Sequence, residues 1–378
     1  MNAKINFAQP MLARRSAAGF SLVELMVALV AGLLLVAGIG QVYQSTKQTY
    51  NMQEQMSRLQ ENARYAIERM SRDIRMAGSE GCTSLTPDKI NNNLNIGGDP
   101  YFDFGTRIQG YEAQGTFPAE RYALPATTPI NSSSLTRWNP SRPSRPPSVV
   151  QGNDILMVRG RIDADVPVLL QNLTPDTVTT AAPLTGLSGN NNDFVMVADC
   201  SAAYVFEATS TGTDLTHTAG SAPGNVRATW DEIGNPVSIA SVASSKGSVP
   251  AEVYKVASTL YYLQVSGSDN GPSLFRKSID SGTDVPGQAL VEGVENMQIV
   301  YSQQNDDGTI QYSPATLITN WNQVTSVRVA LLLRSVDEVR QEIDTMVYDL
   351  NGTLIDPVDD RRIRQVFTST ITLRNSRP

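Results

Sequence analysis

The stretch RRSAAGFSLVELMVALVAGLLLVAGIG, residues 14–40, decides how the rest of the chain is read. From Phe20 to Gly40 its strongly polar residues are Ser21 and Glu24. At about 1.5 Å per residue this run makes a helix of roughly 30 Å, the thickness of a bilayer core. Lys4, Arg14 and Arg15 precede it, so the positive-inside rule holds residues 1–19 in the cytoplasm and sends the remainder of the chain outward. Glu24 does not fit a plain span, because an acid in a membrane helix costs about 2.5–3.5 kcal/mol at the centre and less near an end. A cleaved secretory signal, with Ala37-Gly38-Ile39-Gly40 as a loose small-x-small site, meets the same objection. Arg14-Arg15 lacks the neighbours of a twin-arginine signal. Glu24 needs a partner.

The chain has 378 residues, 30 basic and 37 acidic, for a net charge of −7. Low charge with abundant Gly, Pro, Asn, Ser and Thr suits a β-rich protein outside the cytoplasm. An acidic chain is a poor binder of phosphate backbones. Two cysteines, Cys82 and Cys200, and one histidine, His217, leave little material for a zinc site or a Ser-His-Asp triad. No cluster of acid, base and nucleophile points to an enzyme, and no cofactor or metal motif is present. Asn305-Asp306-Asp307-Gly308 reads as a hairpin turn, without the spaced oxygens and closing Glu of a calcium loop.

Beyond the apolar run, Met56, Leu59, Ala63, Ile67, Met70 and Ile74 recur at steps of three and four and form one helical stripe. Glu54/Arg58, Glu68/Arg72 and Arg69/Asp73 sit four apart on other faces, and Gly78 is a natural stop. The spacing predicts one helix from Phe20 to Ala77, near 85 Å long at about 1.5 Å per residue. Its second half is apolar on one side only and should pack on a head. A free coiled coil would require a sustained seven-residue repeat, which is missing.

From residue 78 onward short β-type runs alternate with turn-formers. Predicted strands are Asp154–Arg159, Phe194–Ala198, Ala203–Glu207, Glu252–Ala257, Thr259–Val265, Gln298–Ser302, Val324–Arg334 and Gln365–Arg374, with Val324–Arg334 placed mid-sheet. Leu350-Asn351-Gly352 reads as a hairpin turn. Residues 186–193 and 209–225 read as loops. Residues 124–147, LPATTPINSSSLTRWNPSRPSRPP, read as an extended surface excursion. Arg137, Arg142 and Arg145 beside Trp138 raise a nucleic-acid reading, with phosphates on Arg and a base on the indole, against a plain solvated loop.

Gly19-Phe20-Ser21-Leu22-Val23-Glu24-Leu25, behind a basic leader and ahead of an apolar helix, resembles the class III signal of type IV prepilins. The resemblance implies that prepilin peptidase cuts after Gly19 and that Phe20 becomes the N-methylated terminus. Glu24 would then pair with the Phe20 amine of a neighbouring subunit when helices bundle, costly alone and satisfied on assembly, which makes it a register device. Many major pilins place a proline about twenty residues into the mature helix; Gly38-Ile39-Gly40 stands there in this chain, a milder softening at about 1 kcal/mol per glycine.

Other segments resemble PilW-type minor pilins: Arg58-Leu59-Gln60-Glu61-Asn62-Ala63-Arg64, Arg72-Asp73-Ile74-Arg75-Met76-Ala77-Gly78, Gly152-Asn153-Asp154-Ile155-Leu156, Val291-Glu292-Gly293-Val294-Glu295-Asn296-Met297-Gln298, Val327–Arg334 and Leu373-Arg374-Asn375. The implied fold is α+β and type IV pilin-like, a long N-terminal helix packed on a large antiparallel β-rich head. Its parts are a cleaved leader 1–19, a membrane and filament-core helix 20–40, an amphipathic continuation 41–77 and a head 78–378. The implied function is a minor pilin that helps initiate pilus assembly at or near the tip. Its partners would be other minor pilins and the major pilin, and twitching motility, attachment or DNA uptake would depend on it. Before assembly the chain would cross the inner membrane once with its head in the periplasm; afterwards it would lie in the surface pilus. A J-type pseudopilin of type II secretion, or a tip adhesin or DNA receptor using loop 124–147, are the alternatives. Outside the cytoplasm Cys82 and Cys200 are expected to pair rather than lie buried and free, closing a loop worth roughly 4–5 kcal/mol in the chain-entropy picture.

Overall fold

The computed structural model describes Gly19 and residues 21–79, 89–125, 131–146, 148–162, 166–174, 176–187, 192–199, 202–220, 224–228, 251–265, 271–304 and 308–374. Phe20, Cys82, Cys200 and the turn residues 305–307 lie outside these, so the expected disulfide does too. The chain divides into two compact units, residues 1–53 and 54–378, and a single α-helix, Leu22–Arg75, contributes to both.

In the first unit every residue from Ser21 to Lys47 is exposed. An 18-residue window of this helix reaches a mean hydropathy of 2.6, long and apolar enough to cross a membrane. Gly38 and Gly40 leave it helical throughout. Where polar residues resume, the Thr46 and Thr49 hydroxyls donate back to the Val42 and Ser45 carbonyls at 2.8 and 2.9 Å, which keeps them satisfied within the helix.

In the second unit the end of the helix lies on a β-rich core. Leu59, Ala63, Ala66, Met70 and Ile74 pack with Leu156, Tyr261, Met297, Val329 and Leu331. Each fully buried Leu, Met or Ile side chain contributes roughly 1.5–3 kcal/mol. The buried stripe is turned slightly from the expected one, because Ala66 and Ser71 are buried while Met56 and Ile67 are only partly so. Gly78 ends the helix at φ +64, and a Cβ there would strike the Arg107 side chain. Its N–H donates to the Arg159 carbonyl at 3.1 Å, handing the chain to the sheet.

The strand Glu252–Val265 is the hub of a twelve-stranded sheet. It pairs antiparallel with Ile155–Arg161, Pro272–Ile279 and Asp193–Ala198. The sequence suggests a break at Ser258, but one strand runs through, because the Ser258 hydroxyl is buried and donates to the Tyr101 carbonyl. A four-stranded antiparallel sheet has the order 310–313, 294–304, 324–334, 364–372, which sets Val324–Arg334 inside as expected. A small sheet joins Tyr348–Leu350, Thr353–Asp356 and, in parallel, Arg121–Ala123. Its hairpin turns on Asn351 and Gly352, both at positive φ, as the sequence suggests. The region 209–225 is less irregular than expected. The strand Ala203–Thr211 runs on to a turn at Gly212, and Asp214–Thr216 returns beside Thr177–Thr180.

Glu207 on that strand is buried, and its Oε2 has no hydrogen-bond partner among the described residues. Burial pushes its carboxyl up to about 7. The folded chain therefore keeps a proton that an unfolded chain, with a carboxyl near about 4.3, releases. Between those values stability falls as pH rises, by up to about 1.4 kcal/mol per pH unit for one such group, and the effect levels off on either side. Urea denaturation at pH 5 and pH 7.5 should show the fall, and Glu207→Gln should remove part of it. Stability that rises across this window would contradict the assignment.

Candidate functional site

The helix starts with a capping box that sequence reasoning passed over. Ser21 N–H donates to Glu24 Oε2 and Glu24 N–H donates to Ser21 Oγ, each at 3.1 Å. Ser-x-x-Glu at 21–24 is the signal that could have found it. The box satisfies two of the N–H groups that a helix start leaves open, and the carboxylate sits at the favourable end of the helix dipole. Glu24 is thus less costly in the single chain than the sequence alone implies. The carboxylate takes part in one of the two bonds, through Oε2; in the other, Glu24 is the donor through its backbone N–H. Gly19, just ahead, is exposed, and among the described residues no atom lies near the position of a Cβ.

The start of the helix bears the signal, and its other end is fixed to the head. Asp73 Oδ2 accepts from Tyr261 Oη at 2.6 Å and from Arg276 Nε at 2.8 Å. Arg69, the partner expected from spacing, lies farther off at 3.6 Å. Gln55 Nε2 donates to Asp337 Oδ2 at 3.0 Å. Burial first, then the Asp73 carboxylate, raise the Tyr261 phenol well above its ordinary value, so it stays a donor at neutral pH.

Gly152-Asn153-Asp154 works as a joint between the two larger sheets. Asp154 takes the N–H groups of Ala113 and Ile299 at 3.0 and 2.8 Å, and Asn153 takes that of Met297 at 2.9 Å. The Asn296 and Gln298 amides both donate to the Gly152 carbonyl. Gly152 sits at φ +71, where a Cβ would meet the Tyr122 ring. Burial raises the Asp154 carboxyl, with its two N–H bonds opposing. The segment 291–298 also supplies Glu295, which holds the fully buried Arg364 at 2.7 Å; Arg364 further meets Asp360 at 2.8 Å and Asp344 at 3.4 Å. That cluster straps residues 335–363 to the four-stranded sheet.

The structure corrects the reading of loop 124–147. Trp138 is 1% exposed and its indole N–H donates to the Asn153 carbonyl at 2.8 Å. Arg142 is 2% exposed and donates to the carbonyls of Ser132, Pro143 and Pro146, with its guanidinium 5.2 Å from the Trp138 ring centre. Both are internal pins, so neither offers a stacking face or a phosphate contact. Arg137 remains exposed, and Arg145 approaches Asp284 at 3.9 Å. His217 is buried, edge-on to Phe206 at 5.6 Å.

Residues 14–40 match the prokaryotic N-terminal methylation motif. Residues 260–375 match the family described as type IV Pilus-assembly protein W, the stretch that contains Tyr261, Arg276, Glu295 and Arg364. No curated protein and no solved structure matches the chain.

Proposed function

We propose that this chain is a PilW-type minor pilin of the type IV pilus, a low-copy subunit that helps to start the filament and stays at or near its tip. The observation that carries the reading is Glu24, held at the start of an exposed apolar helix inside a methylation motif. Prepilin peptidase cuts after Gly19, where the missing side chain gives the protease access to the backbone, and the Phe20 amine is freed and methylated. Glu24 pairs with that amine on an adjoining subunit. Lys4, Arg14 and Arg15 keep the leader cytoplasmic, so the head faces the periplasm before assembly.

An apolar helix leaves lipid readily only if its surface is reburied against other subunit helices. A cluster of minor pilins offers such a surface to the first major pilin. The size of the head favours low copy number, since a thin filament carrying one on every subunit would be crowded. The role is assembly rather than catalysis, and motility, attachment or DNA uptake depend on it indirectly. Cys82 and Cys200 pair and tie the base of the head to its sheet.

Intact-mass and N-terminal analysis of the chain recovered from membranes and sheared filaments tests this directly. The expected result is a terminus at methylated Phe20 and a mass shift of one disulfide on reduction. A mature chain that still begins at Met1, or that has lost the apolar helix, overturns the proposal.

A further inference from the structure

A recess of about 660 Å³ opens where the end of strand Ile108–Ala113, residues 114–120, the Trp138–Asn139 strand and residues 316–317 meet. Its size falls within the range of small-ligand sites. Two carboxyl groups line it, Glu112 and Glu120, and among the described residues no Lys or Arg does. Glu112 is 4% exposed, and its Oε2 accepts a backbone bond from Ala315 N–H at 3.2 Å. Glu120 is exposed at the rim, its Oε2 accepting from Phe117 N–H at 2.9 Å. Burial is the main cause that raises the Glu112 carboxyl, with Asp154 and Glu120 adding to it; Tyr301 in turn feels both Asp154 and Glu112. The titratable groups that act on Glu112 are therefore acidic or phenolic. Without a cation Glu112 is held protonated, its carboxyl pushed up to about 10, and a positive charge in the recess would favour the ionised form.

We propose that this recess binds an organic cation, an alkylammonium or guanidinium group, which enters between Glu112 and Glu120 and donates to both. The amide and carbonyl oxygens of Gln114 and Asn139 on the same wall can accept its remaining N–H bonds. The chemistry disfavours two other occupants. A sugar wants a broad open aromatic face; Trp138 is turned inward, and Phe117 on the same wall is half-buried. A calcium ion wants six or more oxygens, and among the described residues no group of three or more acidic, His or Cys side chains comes together. The cation can be a free polyamine or a Lys or Arg side chain of a partner protein. The site is independent of the N-terminal signal, so its failure leaves the assembly role standing.

Isothermal titration of the full-length protein in non-ionic detergent, at pH 7 and low salt, separates these cases. Spermidine and tetralysine are the cationic probes, with lactose and calcium chloride as controls. The expected result is saturable binding of a cation, weakened about tenfold or more by Glu112→Gln and about threefold by the rim variant Glu120→Gln. Tighter binding of tetralysine points to a protein side chain, and tighter binding of spermidine to a free polyamine. Glu112→Gln keeps an acceptor for Ala315 N–H, and its thermal midpoint reports whether the head is intact; should it fail to fold, Glu120→Gln decides. Binding that neither variant weakens, or heats with lactose or calcium alone, overturns the proposal.

Discussion

Filaments sheared from cells that make only Glu24→Ala are expected to lack this subunit, with the chain retained in the membrane and piliation reduced. Loss of a hydrogen bond to a charged group costs about 1.5–3 kcal/mol, or roughly ten- to a hundredfold in incorporation. Alanine also breaks the capping box with Ser21, so two further variants separate the effects. Glu24→Gln keeps an acceptor for Ser21 N–H but cannot neutralise an ammonium, and its incorporation should fall with that of alanine. Ser21→Ala weakens the helix start by about 1 kcal/mol yet leaves the carboxylate, and it should assemble far better. Gly19→Leu should leave the leader uncut and prevent assembly altogether. Immunoblots of sheared and membrane fractions supply the comparison. Equal incorporation of Glu24→Gln and the native chain would mean that capping is all Glu24 does.

Arg364→Ala should be the most damaging single change in the head. Its guanidinium is fully buried among Glu295, Asp344 and Asp360. Removing one member of a buried ionic group leaves the others desolvated and unmatched, at about 3–5 kcal/mol. The urea midpoint of the full-length protein should drop accordingly, and residues 335–363 should become sensitive to protease first. Changing Glu295→Ala in the same chain should cost less than the sum of the two single losses, because each half is harmful mainly without the other. Additive losses would show that the cluster does not act as a unit.

Much of the architecture was legible in the residues. A stripe at helical spacing placed Leu59, Ala63, Met70 and Ile74 on the core, and a run of β-formers gave Val324–Arg334 with its ends in place. What escaped depends on partners far away in the chain. Asp73 has a plausible mate four residues off, but its short bonds go to Tyr261 and Arg276. Trp138 and Arg142 have the composition of a solvated loop; the carbonyls of Ser132, Pro143, Pro146 and Asn153 help make burial affordable for them. Ser258 looks like a strand breaker until Tyr101 gives it an acceptor. The capping box is the opposite case, since Ser21 and Glu24 are three apart and the pattern was in plain view. The recess beside Glu112 was not readable at all, because its walls come from three separate parts of the chain.

The clamp at Asp73 bears on how such a subunit would withstand pulling. Tension arriving along the helix must enter the head through whatever grips its final turns. Here the grip is spread from Gln55 on Asp337, through the ridge Leu59 to Ile74, to Asp73 on Tyr261 and Arg276. Attachments in sequence along a rod share a sudden load, so no single bond has to hold alone. Cutting the clamp with Asp73→Ala would then lower the rupture force in a single-molecule stretch only in part, with Gln55 and the apolar ridge still carrying load.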